Sequence, residues 1–404
     1  MEADKPAMST QRHPMEGKRD IPIMVVFVCM GLVTLTQLYS VIPMFNDFVH
    51  DMHIGESLAL WTQTGYGIAY ALALLAWGTL ADKVGPTKVV VTSAVLSTLA
   101  AGLVAAAPTG GALIGFRVVQ GVVAASFSPA AFAIIPVVVA PERRNLTITL
   151  LTSSFLAAAS LGPVFAGSVK LLIGWRGVYV VSAVLFLALG VVLYFIIPPV
   201  RGSAVGETNI LVPFRTVLSK VPAVLLLLAT VTMLSTFVGL LTTFLQYTPM
   251  SGAGKQWVSL IGLPAVILVL LANSWIHRVS VTTRLTACGV VSALANLGIL
   301  ATDSSVAWVV LMFVIVFTVG IIGPSLIEGI MPFAVPYVGV GTALFTFFLF
   351  IGASIGPQLA GVAQGLPGMV AIDVGLQIVL IVLSLITSRF KAGDPVILRV
   401  GGDQ

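Results

Sequence analysis

Several side chains that carry charge or strong hydrogen-bonding groups lie inside long apolar runs of this sequence, among them Gln37, Arg117, Gln120, Gln246 and Glu328. Such a group is costly among apolar residues unless protein or water satisfies it. A carboxylate in such a place can take up and release a proton as its surroundings change. We therefore interpret Glu328 as a proton site or a cation-binding group. The alternative is that it lies near the end of its helix and pairs with a loop cation.

The composition indicates which elements must hold these groups. Charged residues make up only 9% of the 404, against about 25% in ordinary globular chains. Hydrophobic types make up 58%, and the mean hydropathy is +1.08. So few charges cannot cover a soluble protein of this size, so we predict a polytopic membrane protein and exclude a cytosolic enzyme and a disordered chain. The net charge of +5 comes from basic residues spread singly and in pairs, so we expect no nucleic-acid partner.

Twelve apolar segments are long enough to cross a bilayer, which needs about 20 residues per helix. In chain order, spans 1 to 12 are 21–43, 57–80, 87–107, 110–138, 145–171, 177–198, 222–248, 256–276, 284–302, 306–332, 338–362 and 368–388. Sixteen of the 20 Lys and Arg residues fall on one side, all but Arg117, Lys170, Arg176 and Lys255. Because cytoplasmic segments carry the excess of basic residues, we expect both termini in the cytoplasm and the chain in the cytoplasmic (inner) membrane.

The second half of the sequence repeats the first. The segment Ala159–Gly167 in span 5 returns 194 residues later as Ala353–Gly361 in span 11. Two six-span halves repeated in parallel are typical of transporters whose binding site lies between the halves. We therefore divide the chain into a cytoplasmic tail 1–20, an N-terminal six-helix bundle 21–198, a cytoplasmic linker 199–221, a C-terminal six-helix bundle 222–388 and a cytoplasmic tail 389–404.

The loop after span 2, residues 78–88, reads GTLADKVGPTK. It resembles the signature G-x-L-A-D-[RK]-x-G-[RK]-x-[RK] of the major facilitator superfamily, with Pro86 where a basic residue is usual. Span 4 resembles the pattern L-x-x-x-R-x-x-Q-G of its proton-coupled exporters, and span 5 resembles their Gly-Pro motif. The residues that this resemblance assigns to conformational motifs are Gly78, Asp82, Lys83, Gly85, Lys88, Arg143, Arg144, Gly162, Pro163, Gly356 and Pro357.

The resemblance implies a fold and a function. The fold would be all-α and integral to the membrane, with twelve transmembrane helices in two pseudo-symmetric six-helix bundles. The signature loop would latch the halves on the cytoplasmic face in the outward-open state, with Asp82 near the start of span 11 and near Arg143 or Arg144. The chain would export an amphipathic small molecule by proton antiport, like the twelve-span drug:proton antiporters. An exporter of an endogenous metabolite or lipid, and an uncoupled facilitator, remain alternatives.

In the superfamily, spans 1, 4, 7 and 10 line the substrate cavity. Arg117 is expected to face protein or water there; the alternative is that it extends to the outer headgroups. The mixture of amides, hydroxyls and aromatic rings suits an amphipathic organic solute better than a sugar. The candidate cavity residues are Gln37, Tyr39, Arg117, Gln120, Thr243, Gln246, Tyr247 and Glu328.

The acidic residues assigned to the outer side are Asp47, Asp51, Glu56, Asp303 and Asp373. Asp47 belongs to a titratable cluster with two histidines at the outer end of spans 1 and 2 and is the second candidate for proton coupling. The alternative is a solvated loop. As partners we expect a small-molecule substrate, protons and the lipid bilayer. We expect a monomer without enzyme activity, cofactor or metal.

Overall fold

The structure is a computed structural model that describes residues 16–200, 211–248, 251–276, 278–335, 337–363 and 365–390. Within these ranges the chain is almost entirely α-helical and contains no β-strand. Most of the two predicted tails and the linker residues 201–210 lie outside the described residues, and the predicted domain boundaries stay a prediction.

The N-terminal half contains seven helices and one short 3-10 helix in its described residues. They are α1 (Glu16–Tyr39), the 3-10 helix (Ile42–Met44), α2 (Phe45–Met52), α3 (Glu56–Val84), α4 (Pro86–Ala105), α5 (Gly110–Ala124), α6 (Phe127–Val138) and α7 (Pro141–Ile196).

The C-terminal half contains eight helices in its described residues. They are α8 (Leu211–Leu218), α9 (Val221–Tyr247), α10 (Gly252–Leu260), α11 (Gly262–Ile276), α12 (Val281–Leu300), α13 (Ser305–Ala334), α14 (Val338–Ala363) and α15 (Leu366–Thr387).

These helices account for all twelve predicted spans. Nine segments of the described chain are long and apolar enough to cross a membrane. The other three spans lie in α3, in the pair α10 and α11, and in α7, which contains both span 5 and span 6. The two segments of α7 meet at Ile173 and Gly174, where the backbone leaves helical geometry. Gly174 has a φ of 74°, which favours glycine because a side chain would be strained there.

Glycine, proline and hydroxyl residues set several helix ends. Gly85 separates α3 from α4 with a φ of 107°, and Pro86 opens α4, where the helix needs no amide donor. Thr109 caps α5 by accepting a hydrogen bond from the amide of Ala112 at 3.2 Å, and Ser280 caps α12 in the same way. The signature loop is therefore a tight connection between two membrane helices.

The two ends of the bundle carry different contacts. We call the end at which α1 begins and α15 ends the terminal face, and the other end the opposite face. At the terminal face, Asp20 of α1 lies 3.9 Å from Arg143 of α7. At the opposite face, Asp47 of α2 lies 2.7 Å from Lys170 of α7. The predicted topology places the terminal face in the cytoplasm, and this orientation stays a prediction.

Two buried apolar cores show where the halves are in contact. The larger core extends over both halves and includes Leu38 of α1 and Phe244 of α9, both towards the opposite face. The smaller core lies towards the terminal face, and its described members all belong to the N-terminal half, among them Phe27, Ile134 and Phe186. The halves therefore share a core towards the opposite face, whereas towards the terminal face the N-terminal half packs on itself.

Candidate functional site

The polar groups of spans 1 and 4 meet in one buried network inside the N-terminal half, which we call the arginine network. Arg117 of α5 is fully buried. Its three nitrogens donate to the carbonyl of Thr62 (3.0 Å), the carbonyl of Gln37 (2.8 Å) and Gln120 Oε1 (2.6 Å). Because a guanidinium presents donors in several directions, this one residue ties α1, α3 and α5 together.

The arginine network continues from Gln37 to the second segment of α7. Gln120 Nε2 donates to Gln37 Oε1 at 3.2 Å, and Gln37 Nε2 donates to Ser182 Oγ at 3.0 Å. The guanidinium carbon lies 4.3 Å from the centroid of the Tyr66 ring, within the range of a cation–π contact. Among the described residues, Arg117 forms no ion pair, so its charge is stabilised by carbonyl and amide oxygens and an aromatic ring.

A glycine makes this arrangement possible. Gly121 of α5 faces the backbone of Tyr66 in α3, and a Cβ at that position would lie only 3.0 Å from the Tyr66 carbonyl carbon. Glycine therefore lets the two helix backbones approach closely. Thr62, one turn before Tyr66 on α3, thereby comes within hydrogen-bond distance of Arg117.

The structure brings only some of the predicted cavity residues together. Gln37, Arg117 and Gln120 are buried in the arginine network, so the alternative that Arg117 extends to the headgroups is wrong. Thr243 is buried as well, and its hydroxyl donates to the carbonyl of Gly239 one turn earlier at 2.9 Å. A membrane-helix threonine commonly satisfies itself in this way.

The remaining cavity residues of spans 1 and 7 lie towards the opposite face. Tyr39 is buried, and Gln246 and Tyr247 are half-buried at the end of α9. Gln246 Nε2 donates to the carbonyl of Ile42 and so connects α9 with the 3-10 helix of the other half. The predicted residues therefore do not line one shared cavity in this conformation, and their contact with substrate stays a prediction.

Side chains of α3 and α14 join the two halves. Thr64 Oγ1 donates to the carbonyl of Ser354 at 2.8 Å and accepts from Gln358 Nε2 at 3.1 Å. Nearer the middle of the bundle, the ring centroids of Tyr70 and Phe350 are 4.4 Å apart. These contacts extend from the opposite face to the centre, so the halves are closed against each other on that side.

The two Gly-Pro pairs hold equivalent helix crossings in the two halves. A Cβ at Gly162 of α7 would lie 3.2 Å from the carbonyl oxygen of Thr36 in α1. A Cβ at Gly356 of α14 would lie 2.8 Å from the amide nitrogen of Gly239 in α9. Pro163 and Pro357 follow these glycines inside their helices. The sequence repeat thus corresponds to a repeated backbone contact.

The signature-loop residues lie at the terminal face. Lys83 and Lys88 are exposed on either side of the tight turn at Gly85, and Gly78 faces Pro129 of α6. The Asp82 side chain lies outside the described part of the structure.

The basic pair after span 4 has partners nearby. Arg143 pairs with Asp20, and Arg144 Nε donates to the carbonyl of Val139 at 3.0 Å. Because the Asp82 side chain is not described, its contact with Arg143, Arg144 or the start of span 11 stays a prediction.

We expected Glu328 to be buried, but it is exposed. Its side chain is 43% exposed, and its carboxylate lies 2.8 Å from the guanidinium of Arg284, which is itself 4% exposed. Glu328 lies less than two turns before the end of α13 at Ala334, so its side chain reaches towards the terminal face, where α12 begins. The structure thus corrects the predicted burial, whereas the role of Glu328 in proton coupling stays a prediction.

The titratable cluster at the opposite face is partly paired. Asp47 accepts from Lys170 Nζ at 2.7 Å, and the same ammonium group donates to the carbonyl of Pro43 at 2.6 Å. Asp51 accepts from the indole nitrogen of Trp175 at 2.8 Å. These contacts fasten α2 to α7, which is more than the solvated loop that we considered. Among the described residues, no three His, Cys, Asp or Glu side chains are grouped as a metal would need.

Among the described acidic residues of the C-terminal half only Asp373 is buried, and we expected it on the outer side. It lies two turns inside α15 and is fully buried, with no hydrogen-bond partner among the described residues for either carboxylate oxygen. Asp373 is nearer the opposite face, as that assignment implies, but it lies buried within the membrane helix rather than exposed at the helix end. The signal available was its position inside the predicted span 368–388.

A family model identifies the protein family of this chain. The family model described as Major Facilitator Superfamily matches residues 27–357, from α1 to α14. The chain belongs to the major facilitator superfamily. The match includes the arginine network, the contacts of α3 with Ser354 and Phe350 of α14, and both Gly-Pro pairs. It confirms the fold expected from the sequence: two pseudo-symmetric bundles of six membrane helices.

Several curated superfamily members resemble parts of the chain. A methylenomycin A resistance protein of Bacillus subtilis is 27% identical over 192 residues, 47% of this chain and 41% of its own length. A multidrug efflux pump of Mycolicibacterium smegmatis is 26% identical over 220 residues, 54% of this chain and 43% of its own length. A multidrug resistance protein B homolog of Mycobacterium tuberculosis is 31% identical over 159 residues, 39% and 29% of the two lengths. The chain thus matches less than half the length of each relative.

A solved superfamily structure has the same fold. A bacterial homolog of the human lysosomal transporter Spinster, in an inward-facing and unoccupied conformation, superposes with a TM-score of 0.67 at 13% identity. The superposition covers 92% of this chain and 95% of the other. Together with the membrane helices of α1 to α15, this identifies the chain as a multi-pass membrane protein.

Proposed function

We propose that this chain is a secondary active transporter that exports an amphipathic small molecule by proton antiport through alternating access. The observation that carries this proposal is the asymmetry between the two faces. The halves share a core and hydrogen bonds towards the opposite face, whereas the N-terminal half has a separate core towards the terminal face. Alternating access needs two halves that can close on one side at a time.

The orientation follows from the basic residues. Sixteen of the 20 Lys and Arg residues fall on the side of the termini, which favours a cytoplasmic terminal face. The conformation described above is then closed towards the outside and corresponds to an inward-facing state. In that state an exporter takes up its substrate from the cytoplasm or the inner leaflet. The cytoplasmic membrane of a bacterium is the location that the resistance-protein relatives support.

Proton coupling is assigned to carboxylates that exchange partners between states. Asp47 pairs with Lys170 at the opposite face, and Glu328 pairs with Arg284 at the terminal face. Protonation would neutralise either carboxylate and remove the charge from its ion pair. These pairs lie at the two faces that open alternately, so each is placed to respond to the proton concentration on its own side.

Proteoliposomes with a trapped pH dye test the proposal. Under an imposed proton gradient, a panel of cationic, neutral and anionic amphipathic compounds is added to the wild type and to empty liposomes. We expect at least one compound to move protons in the presence of the protein only, and a protonophore to abolish the signal. Substrate flux without proton movement would replace antiport with the uncoupled facilitator. Flux of phospholipid or a metabolite alone would favour the endogenous-substrate exporter.

A crosslinked variant provides a matched control for alternating access. Thr64 and Gln358 hydrogen-bond across the halves, so cysteines at both positions can be joined at the opposite face. The natural Cys29 and Cys288 are first replaced by alanine. We expect crosslinking to stop transport and a reductant to restore it in the same sample. Undiminished transport after complete crosslinking would contradict the rocking of the two halves.

A further inference from the structure

The interface between α12 and α15 contains buried oxygen atoms without partners. Ser292 and Asn296 lie on α12, and Asp373 and Gln377 lie on α15; each is 0–1% exposed. Among the described residues, five of their oxygens have no hydrogen-bond donor: both carboxylate oxygens of Asp373, Gln377 Oε1, Asn296 Oδ1 and Ser292 Oγ. Buried polar atoms are normally satisfied, so this concentration of acceptors requires an explanation.

Helical spacing places each pair on one face. Ser292 and Asn296 are four residues apart, as are Asp373 and Gln377, and residues at that spacing are neighbours on a helix surface. Both helices contribute these faces to the buried interior. Each helix thus presents two of the oxygen-bearing side chains along a single line.

The packing register brings the two lines level with each other. A Cβ at Gly289 of α12 would lie 2.8 Å from Ile381 Cγ1 and 3.4 Å from Leu380 Cδ2 of α15. α12 ends and α15 begins at the opposite face, so the helices are antiparallel. Seven residues beyond Gly289 on α12 is Asn296, and seven to eight residues before Leu380 and Ile381 on α15 is Asp373. Ser292 is three residues beyond Gly289, and Gln377 is three to four residues before Leu380 and Ile381, so these two residues are level as well.

The site lies well inside the membrane part of the protein. Asp373 is seven residues after the start of α15, about 10 Å along the helix at 1.5 Å per residue. An ionised carboxylate at such a depth without a partner is very costly, and the cost disappears when one positive charge neutralises it. We propose that Asp373, Gln377, Asn296 and Ser292 form a binding site for one monovalent cation, either a proton or Na⁺.

The oxygens around Asp373 suit this ligand. A proton on the carboxyl group would give it a donor for Gln377 Oε1, one turn away. A sodium ion would be coordinated by carboxylate, amide and hydroxyl oxygens, which are the hard ligands that such cations prefer. Both ligands supply the single positive charge that the site lacks, and they differ in how they depend on pH and on Na⁺.

In the described parts of the neighbouring helices, no charged side chain is placed to neutralise the Asp373 carboxylate. The helices that pack against α15 are α9, α12 and α14. Of these, α9 contributes only Tyr247 as a titratable group, at its end, and α14 contributes none. α12 contributes Cys288 and Arg284, and Arg284 is level with residues 385–386, about 18 Å along the helix from Asp373. Arg284 is already paired with Glu328.

The site is connected to the helices that join the two halves. Met369, one turn before Asp373, packs on Gly239 of α9, and a Cβ at Gly239 would also lie 3.1 Å from the carbonyl oxygen of Gly356 in α14. A change of charge at Asp373 therefore acts next to the α9–α14 crossing. Use of the bound cation to drive export rests on the proposed function, whereas cation binding itself does not.

Thermal unfolding of the purified full chain in detergent, followed by tryptophan fluorescence, tests cation binding without any substrate. Three proteins are compared: wild type, Asp373→Asn, and Asp303→Asn, which removes an exposed carboxylate at the same face as a control. Each is measured over a pH series, and in NaCl or choline chloride at equal ionic strength.

Two outcomes support the site and identify its cation. If the ligand is a proton, the folded state binds more protons than the unfolded state, so raising the pH lowers the Tm. We then expect the wild type to lose about 2–4 °C more than Asp373→Asn. If the ligand is Na⁺, NaCl raises the Tm of the wild type and of Asp303→Asn but not of Asp373→Asn. Equal responses of wild type and Asp373→Asn to both pH and Na⁺ would overturn the proposal.

A second measurement on the wild type covers the case in which Asp373→Asn does not fold. A membrane-soluble carbodiimide modifies protonated carboxyl groups in apolar surroundings, and mass spectrometry locates the product. For a proton site, we expect the extent of Asp373 modification to decrease as the pH rises. For a sodium site, we expect it to decrease when Na⁺ is added but not when choline is added. Modification unaffected by both, or no modification of Asp373 under any condition, would count against the site. Neither measurement involves transport, so the cation site is supported or rejected whether or not the protein is a proton antiporter.

Discussion

Each half contains a buried polar cluster, and the two clusters differ in how their hydrogen-bonding groups are satisfied. In the arginine network every nitrogen of Arg117 donates to an oxygen, and both amide groups of Gln37 and Gln120 take part. In the α12–α15 interface, the oxygens around Asp373 have no donor among the described residues. A satisfied buried network makes a structure rigid, whereas an unsatisfied one is costly until a ligand completes it. The comparison suggests a rigid N-terminal half and a C-terminal half that responds to a cation.

The repeat shows which residues make this difference. The second segment of α7 is span 6, the equivalent in the N-terminal half of α15, and it contains Val178 and Ser182. Val178 is buried and apolar, and Ser182 donates to the Val178 carbonyl at 2.8 Å while accepting from Gln37. The N-terminal half thus has no carboxylate at this place and a hydroxyl whose bonds are complete. The two equivalent helices therefore differ: span 6 has a hydroxyl whose hydrogen bonds are complete, whereas span 12 has a buried carboxylate without a donor among the described residues.

The largest effect is expected for Arg117→Lys, which keeps the charge but loses the planar fork. A lysine cannot donate to Thr62, Gln37 and Gln120 at once, so buried acceptors lose their donors. We expect the free energy of unfolding to fall by about 3–5 kcal/mol, as for a broken buried charge network. Unfolding by SDS in mixed micelles measures it. Arg176→Lys is the control, since Arg176 donates to two carbonyls in an exposed position and should change little. Equal losses in both variants would show that the network is not specially rigid.

A smaller effect should distinguish the glycines at the two helix contacts. Gly121→Ala directs a methyl at the Tyr66 backbone, which cannot move alone, whereas Gly289→Ala meets the movable ends of Ile381 and Leu380. Overpacking costs about 1–3 kcal/mol, so we expect a loss in that range for Gly121→Ala and less for Gly289→Ala. Gly115→Ala, on α5 with open space around it, should be neutral or stabilising. The same SDS titration decides, and a greater loss at Gly289 would reverse the proposed difference in rigidity.

Much of this architecture could be predicted from the sequence because the membrane restricts the backbone to few solutions. The apolar runs give the helices, and the pairs Gly162-Pro163 and Gly356-Pro357 give the repeated crossing. Residues three apart on a helix are neighbours, and the side chains of Arg117 and Gln120 hydrogen-bond to each other at 2.6 Å.

The parts that could not be predicted depend on which helices become neighbours. An apolar run indicates a membrane helix but not its rotation, so the burial of Asp373 and the exposure of Glu328 required the packing. The pairing of Glu328 with Arg284 joins residues 44 positions apart on the consecutive helices α13 and α12, so no short-range pattern specifies Arg284 as the partner. The arginine network was similarly hidden, because Ser182 and Thr62 lie on other helices.

The same substitution at two glutamines gives a sharper comparison. Gln37→Leu removes a side chain that bonds Gln120 and Ser182, and should cost about 1–2 kcal/mol because their buried groups are left unpaired. Gln377→Leu removes an oxygen that has no donor, so we expect no loss, or a gain of up to about 1 kcal/mol. Both are measured against wild type at the highest pH of the series and in the absence of Na⁺, so that neither cation occupies the site. A loss at Gln377 as large as that at Gln37 would mean that Gln377 is satisfied and that the C-terminal half is no less rigid.

The smallest effect concerns the two ion pairs at the faces. Asp47→Asn leaves Lys170 half-exposed with the carbonyl of Pro43 as its remaining partner, so it should cost only about 0.2–1 kcal/mol. Glu328→Gln weakens the only ion pair found for Arg284 among the described residues. The Nε and Nη1 atoms of Arg284 already have no hydrogen-bond partner among those residues. We expect Glu328→Gln to cost about 1 kcal/mol more, because a buried guanidinium is harder to leave uncompensated. High salt should reduce the loss for Asp47→Asn more than that for Glu328→Gln, since exposed pairs are screened most. SDS unfolding at low and high ionic strength measures both differences. If the two variants behave alike, buried polar groups without partners are confined to the α12–α15 interface. They then do not extend to the terminal face of the C-terminal half.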